Sequence, residues 1–180
     1  GIWSITGSEG IGFTATDFAI EKISDVRCNN HKSFVMVDRT PIFWAPNGIF
    51  MVESANLGSF NVVSLTKPTI QTLYNDIPDE CKKFAKGAYD PNTKEIYWIY
   101  SIDQNAPTDY TEVLVLRTST QAFYKFKVSA SDYKIKDVFS YFGLVLQDNN
   151  QQIVTTLLND VINLSGGAVL SSSPSSSLFR

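Results

Sequence analysis

The sequence predicts a mainly β fold built from antiparallel sheets, on the strength of two observations. Short runs of apolar, β-branched and aromatic residues recur along the chain, several of them with the alternating polarity of a strand. Strong turn signals separate neighbouring runs, among them Pro46-Asn47-Gly48 and Asp90-Pro91-Asn92-Thr93. Hydrophobic residues make up 43% of the 180 residues, so the chain can bury a substantial core.

The first group of strands is predicted as a meander of three. Its first run is apolar on both faces, which predicts an interior strand. Asn47-Gly48 in the second turn is well suited to the positive φ of a tight hairpin turn. The predicted strands are 33–37, 42–45 and 49–53.

Further strands are predicted downstream, and one of them has a polar side. In the run 95–100, Ile96, Trp98 and Tyr100 share a face. Lys125 and Lys127 point away from an apolar face of their strand, so its other side is expected to be solvated. That apolar face consists of Ala122, Tyr124, Phe126 and Val128. The predicted strands are 95–100, 112–117, 122–128 and 143–147.

Two segments depart from the strand pattern. Residues 66–77 predict one short connecting helix, which Thr66 can cap and Pro78 ends. Residues 151–164 fit either a helix or two strands joined at Asn159-Asp160, and their β-branched content favours the hairpin. The apolar stripe of the predicted helix consists of Ile70, Leu73, Tyr74 and Ile77.

A Gly-Ile-aromatic pattern occurs twice, in Gly1-Ile2-Trp3 and Gly48-Ile49-Phe50. Repeated small sheets are typical of β-propellers, whose sheets bury their faces only against neighbouring sheets. A β-sandwich accounts for the spacing equally well. The predicted organisation is a propeller-like β domain at 1–145, a β-hairpin extension at 146–170 and a Ser-rich flexible tail at 171–180.

Composition limits the classes of partner. The net charge of −3 argues against tight nucleic-acid binding, which needs clustered Lys and Arg. Charged residues make up only 18%, so part of the surface is expected to face other protein. No run approaches the about 18 apolar residues of a membrane-spanning helix. The chain begins on a glycine inside a predicted strand, and we expect it to be a segment of a longer polypeptide.

No catalytic, cofactor-binding or metal-ligating residue is predicted. His31 is the only histidine and is expected in a solvated loop rather than as a catalytic base. Cys28 and Cys81 match no metal-ligand spacing and are expected to be reduced, partly buried thiols, with a disulfide left open.

The other candidate groups are also expected to be structural. Asp90 is expected to begin a β-turn, and nothing places it opposite Glu95 at the spacing of a glycosidase. Three acids lack the spacing of a calcium loop and are expected in a solvated loop: Asp76, Asp79 and Glu80. The basic cluster is expected to form a surface salt-bridge network: Lys82, Lys83 and Lys86. Five aromatics with alternating strand positions are expected in the core rather than on a sugar: Trp3, Trp44, Tyr97, Trp98 and Tyr100.

Residues 64–100, SLTKPTIQTLYNDIPDECKKFAKGAYDPNTKEIYWIY, carry a more specific signal. Through the phrases TIQTLYNDIP, AKGAYD and IYW, this stretch resembles the tail nozzle protein of short-tailed bacteriophages, also called tail tubular protein B. The upstream runs FWAPNGIF, at 43–50, and GIWSI, at 1–5, resemble propeller strands of that family. The resemblance covers roughly residues 1–128.

The resemblance implies a virion structural protein on an irregular β-propeller, without catalytic residues and without a cofactor. Members of the family form a homo-hexameric nozzle below an adaptor ring, with fibres or spikes attached around it. Genome DNA passes through the central channel during ejection without sequence-specific binding. The alternative of a different class is a sugar-binding β-propeller module on a virion or cell surface, and an enzyme is a distant third.

Overall fold

The chain folds as a mainly β protein, as predicted. The computed structural model describes residues 1–7, 14, 16–55, 59–128 and 135–140, together with the backbone of three further strands. The described strands are β1 (Ile2–Gly7), β2 (Phe18–Ser24), β3 (Val35–Val37), β4 (Thr40–Ala45), β5 (Gly48–Ser54), β6 (Phe60–Ser64), β7 (Lys86–Asp90), β8 (Glu95–Tyr100), β9 (Glu112–Arg117), β10 (Ala122–Lys127), β11 (Ile135–Ser140), β12 (Leu144–Asp148), β13 (Gln152–Val154) and β14 (Val161–Asn163). The described helices are α1 (Gln71–Asn75) and α2 (Asp79–Phe84).

Among the described strands, every strand-to-strand pairing joins neighbours in the chain. Sheet I is the antiparallel pair β1-β2. Three four-stranded antiparallel meanders follow in order: sheet II (β3–β6), sheet III (β7–β10) and sheet IV (β11–β14). Short turns join most strands of sheets II and III and favour this local pairing, because a tight turn returns the chain antiparallel to itself. Strands β8 and β9 are instead joined by the longer loop 101–111. Each of the three larger sheets is open at both edges in the described part of the chain.

The largest core lies between sheets II and III and centres on aromatic rings. The ring centroid of Trp44 lies 5.1 Å from that of Tyr74, 6.2 Å from that of Trp98 and 5.5 Å from that of Tyr100. The predicted burial of Trp44, Phe50 and Trp98 is confirmed, since they are 0%, 9% and 0% exposed. Sheet II contributes Val35, Val37, Ile42, Trp44 and Ile49 to this core, and sheet III contributes Ile96, Trp98, Tyr100, Leu114 and Leu116.

A second core lies on the other face of sheet III, against sheet IV. Along β8 the side chains alternate, so that Trp98 faces sheet II whereas Tyr97 and Ile99 face sheet IV. The predicted common face of Ile96, Trp98 and Tyr100 is confirmed. Strands β8 and β9 are the interior strands of sheet III and are therefore buried on both faces. The order of packing along the molecule is sheet II, sheet III, sheet IV.

The first strands of the three larger sheets lie against each other. Strand β3 contacts β7, and β7 contacts β11. Gly87 permits the close approach, because a Cβ there would lie 2.8 Å from Cγ2 of Val35 and 2.4 Å from Cδ1 of Trp98. Sheet I packs on the outer side of sheet II, where Ile2 and Val26 pack against the buried cluster of Phe43, Ala45 and Phe50.

The connector between sheets II and III differs from the single helix predicted at 66–77. Residues 67–70 form turns, and the helix comprises only Gln71–Asn75. The hydroxyl of Thr66 does not cap it, because that oxygen accepts from the N–H of Ile49 at 3.3 Å and donates to Oε1 of Gln71 at 3.0 Å. The prediction of one helix is also wrong, since α2 follows directly after Pro78.

Two predicted strand environments are wrong. Val35 and Val37 are buried, but β3 is an edge strand rather than an interior one, so Phe34 and Met36 are exposed. Strand β10 is also an edge strand, and it is solvated on both faces rather than on one. Both errors share a cause: alternation identifies the faces of a strand but not the neighbours that cover them.

The C-terminal strands form the hairpin rather than the helix. Strands β13 and β14 pair antiparallel, and β13 also pairs with β12. Strand β12 itself spans the predicted domain boundary at residue 145. The boundaries at 145 and 170 stay a prediction, and the predicted tail at 171–180 lies outside the described residues.

Candidate assembly surfaces and candidate site residues

Sheet I presents an exposed apolar face. Ile5 is the register partner of Ile20, and Trp3 is the partner of Lys22, so these side chains share one face. Trp3 is 58% exposed, which makes the prediction of a core position wrong for this residue. Sheet I has only two strands in the described part of the chain, and no other described element covers the face on which Trp3 lies. The sheet I face consists of Trp3, Ile5, Phe18 and Ile20.

An apolar groove runs between sheet I and sheet II. It has a volume of about 430 Å³ and is lined on one side by Ile2 and Ile23 and on the other by Phe43 and Phe60. A two-stranded sheet is marginally stable by itself in water, so contacts on both its faces add to its stability. Contiguous exposed apolar area of this kind commonly marks an interaction surface.

A second groove follows the three adjoining first strands. Its volume is about 430 Å³, and its walls come from β3, β7 and β11. The side chains of Phe34, Met36 and Phe139 are exposed by 42%, 50% and 39% along it. This first-strand groove is therefore formed by three separate sheets at the place where they converge.

His31 lies at the surface, and the two cysteines differ in burial, so the prediction that both are partly buried is wrong for Cys28. His31 is exposed, in a 3₁₀ turn at His31–Ser33 rather than in an irregular loop. Both cysteines are free: Cys28 is exposed, and Cys81 is buried in the core between sheets II and III. Burial raises the pKa of the Cys81 thiol, which disfavours the reactive thiolate.

The acidic run after α1 is only in part the solvated loop that was predicted, since Asp76 lies exposed in a turn but the other two acids belong to α2. Asp79 and Glu80 form the first turn of α2, where carboxylates interact favourably with the helix dipole. Lys82 pairs with Asp79 at 3.0 Å and Lys83 with Glu80 at 2.5 Å. Among the described residues, no group of three or more His, Cys, Asp or Glu side chains could hold a metal ion.

Among the described carboxylates, Glu95 accepts hydrogen bonds from the largest set of side-chain donors. It is 4% exposed and accepts hydrogen bonds from the hydroxyls of Tyr97 at 2.7 Å and Tyr124 at 2.9 Å. Nε of Arg117 donates to it at 2.9 Å, and Nη2 of the same guanidinium lies 2.8 Å from the carboxylate. Burial opposes ionisation, but these donors outweigh it, so the pKa of Glu95 lies below its ordinary value.

The arrangement of Glu95 ties three strands together. Its partners come from β8, β9 and β10, and Asp90 is its register partner across the β7-β8 turn. Asp90 accepts from the N–H of Asn92 at 2.9 Å, which is the predicted turn role. With its donors already directed at it, Glu95 is suited to holding a sheet edge rather than to proton transfer.

The three lysines predicted to form one salt-bridge network each pair with a different acid instead. Lys82 is buried and lies 5.1 Å from the ring centroid of Tyr74, which fixes it beside α1. Lys86 pairs with Asp137 of β11 at 3.3 Å. Lys83 and Lys86 instead share a pocket with lysines from distant parts of the sequence, a grouping that their sequence spacing could not indicate.

In the described part of the chain, neither helix is long and apolar enough to cross a bilayer. No protein-family model matches the chain, and no curated protein matches its sequence.

Proposed function

We propose that this chain belongs to the tail nozzle of a short-tailed bacteriophage, as a virion structural protein that acts by shape and assembly. The nozzle is the distal part of the channel through which the genome leaves. The likeness of residues 64–100 to that family motivates the proposal. The observation that carries it is the succession of three four-stranded meanders packed in chain order, with β3, β7 and β11 side by side.

This succession supports the propeller part of the proposal. In a propeller each blade is a four-stranded meander, the innermost strand is the first one, and innermost strands of adjacent blades converge on the axis. In this chain β3, β7 and β11 line one groove. A sandwich places its two sheets on one shared core, whereas sheet III here packs on both faces.

The exposed apolar surfaces support the assembly part of the proposal. The sheet I face and the first-strand groove leave large side chains in contact with solvent in this chain alone. A homo-hexamer with an adaptor ring and fibre or spike proteins would supply neighbours to cover them. Low charge content agrees with a chain that has protein on several sides.

The test is the oligomeric state of the full-length protein. Mass photometry and negative-stain microscopy, with and without the tail partners, are expected to give six-fold rings. Ile5→Glu places a charge in the sheet I face and is expected to reduce ring formation, while Ile102→Glu alters an isoleucine that is exposed elsewhere. Circular dichroism verifies that both variants fold.

A sugar-binding module is the second candidate, and the exposed ring of Trp3 favours it. Exposed indole rings stack on sugars as well as on proteins. A protein that stays strictly monomeric, and that binds glycans in a manner abolished by Trp3→Ala, would replace the nozzle proposal with this one.

A further inference from the structure

A pocket rich in lysine lies where the first strands of the larger sheets begin. Its volume is about 480 Å³, within the range of ligand pockets. The described residues that line it include no Asp or Glu, although the whole chain is acidic. The lysine pocket is lined by Asn30, His31, Lys32, Lys83, Phe84, Lys86, Thr108, Tyr110 and Lys136.

The walls of the pocket are fixed by hydrogen bonds between distant segments. Asn30 accepts from the N–H groups of Lys32 and Ser33, and its amide nitrogen donates to the carbonyls of Lys83 and Ala85 at 2.7 and 3.0 Å. This side chain therefore joins the 3₁₀ turn to the end of α2. A pocket held in this way loses little conformational entropy when a ligand binds.

The opposite wall is held in a similar manner. The hydroxyl of Tyr110 donates to the carbonyl of Phe84 at 3.1 Å, and Nζ of Lys86 donates to the carbonyl of Lys136 at 2.6 Å. Nζ of Lys86 also lies 5.3 Å from the ring centroid of Tyr110. Lys86 and Tyr110 are thus structural, and they position the neighbouring lysines.

The charge balance of the pocket favours an anion. Three of the four lysines have an acidic partner outside the lining, in the pairs Lys83–Glu80, Lys86–Asp137 and Lys136–Asp109. Four lysines minus three acids leave one positive charge, that of Lys32, which has no ion pair in the described part of the chain. Exposed pairs contribute little to stability, so an anion can share Lys83 and Lys136 with their carboxylates.

We propose that the lysine pocket binds a phosphorylated ligand of about nucleotide size. Lysine ammonium groups suit phosphate oxygens as mobile point charges. The ring of Phe84, which is 43% exposed at the edge of the pocket, provides a surface for a flat base. The acidic net charge favours a compact ligand over a long duplex, which would approach acidic surface as well. This inference does not depend on the nozzle proposal.

The test is calorimetric titration of the full chain at low ionic strength with adenosine triphosphate, inorganic tripolyphosphate and adenosine. Adenosine triphosphate and tripolyphosphate are expected to bind, and adenosine is not. Because stacking on Phe84 adds affinity, adenosine triphosphate is expected to bind at least about fivefold more tightly than tripolyphosphate. Phe84→Ala is expected to remove that difference without weakening tripolyphosphate binding.

Charge reversal identifies the pocket. Lys32→Glu and Lys83→Glu are each expected to lower the affinity for adenosine triphosphate about tenfold or more. Lys67→Glu is the control, because it changes the net charge by the same amount at an exposed lysine outside the pocket. It is expected to leave the affinity for adenosine triphosphate unchanged. Lack of binding, equal loss in Lys67→Glu, binding of adenosine as tight as that of its triphosphate, or tighter binding of duplex DNA would overturn the proposal.

Discussion

Trp44 lies at the centre of the interface between sheets II and III. It is fully buried and contacts the rings of Tyr74, Trp98 and Tyr100. Trp44→Ala is expected to lower the free energy of unfolding by about 3–5 kcal/mol, because it leaves a large cavity among rigid rings. Urea unfolding measures the change. Trp3→Ala is the matched control and is expected to stay within about 0.5 kcal/mol, and a loss below about 1 kcal/mol for Trp44→Ala would contradict the core assignment.

Glu95 makes stability depend on pH. Its pKa is lower in the folded state than the about 4.3 of an unperturbed glutamate, so its contribution is present above about pH 4.3 and is lost as the pH falls through the lower folded value. Tyr97→Phe removes one donor and is expected to cost about 1.5–3 kcal/mol at neutral pH. Unfolding measured from pH 3 to pH 7 is expected to show a smaller acid-dependent loss in this variant. An unchanged pH dependence in Tyr97→Phe would show that the hydroxyl does not stabilise the carboxylate.

For individual residues, the sequence predicted well which side chains are buried in the core and poorly which large side chains are exposed. Alternation along β8 identified the face shared by Trp98 and Tyr100, because strand geometry alone decides it. The exposed position of Trp3 could not be predicted, because it depends on how many strands follow in its sheet. The donors around Glu95 come from three strands, and only the register of those strands brings Tyr97 and Tyr124 to one oxygen.

Helix α1 is an element whose stability comes from docking. A five-residue helix is too short to be stable by itself in water, and Tyr74 anchors it through a 2.7 Å hydrogen bond from its hydroxyl to the carbonyl of Ala45. Tyr74→Ala removes this bond and the contact with Trp44, so it is expected to cost about 3–5 kcal/mol. Leu73→Asp is expected to prevent soluble folding or ring assembly, because it places a charge against the core.

The control for this helix is Asn75→Ala. Asn75 is exposed, and its side chain accepts only from Gln71 at 2.8 Å, so the change is expected to be nearly silent in thermal unfolding. Normal folding and assembly of Leu73→Asp, together with loss of function in Asn75→Ala, would mean that α1 is a functional surface instead of a connector.

Elements with strong turn signals were predictable, and those without them were not. Strands β8 and β9 lie at the bounds that their apolar runs predict. Helix α2 was missed because six residues are too few for helical periodicity. Its signal was Asp79 and Glu80 at the start with Lys82 and Lys83 at the end, the charge order that the helix dipole favours. A strand ending near Val63 was expected and is β6, whereas β2 and β11 were missed for want of comparable turn signals.

At the scale of the whole molecule, local pairing could be predicted but packing between sheets could not. Tight turns imply meanders, yet they do not determine whether successive sheets share one core or stack. The lysine pocket illustrates the limit, since its lining extends from Asn30 to Lys136 and only the contacts of β3, β7 and β11 bring the segments together. The close approach at Gly87 is likewise a property of two sheets.

We expect the three larger meanders to be adjacent blades of a propeller in a ring-forming nozzle subunit. Electron cryomicroscopy of the full-length protein assembled with its tail partners is the decisive measurement. It is expected to show a six-fold ring in which β3, β7 and β11 are the innermost strands of each subunit's propeller. A monomeric particle, or a map in which these three strands lie apart around no common axis, would contradict it.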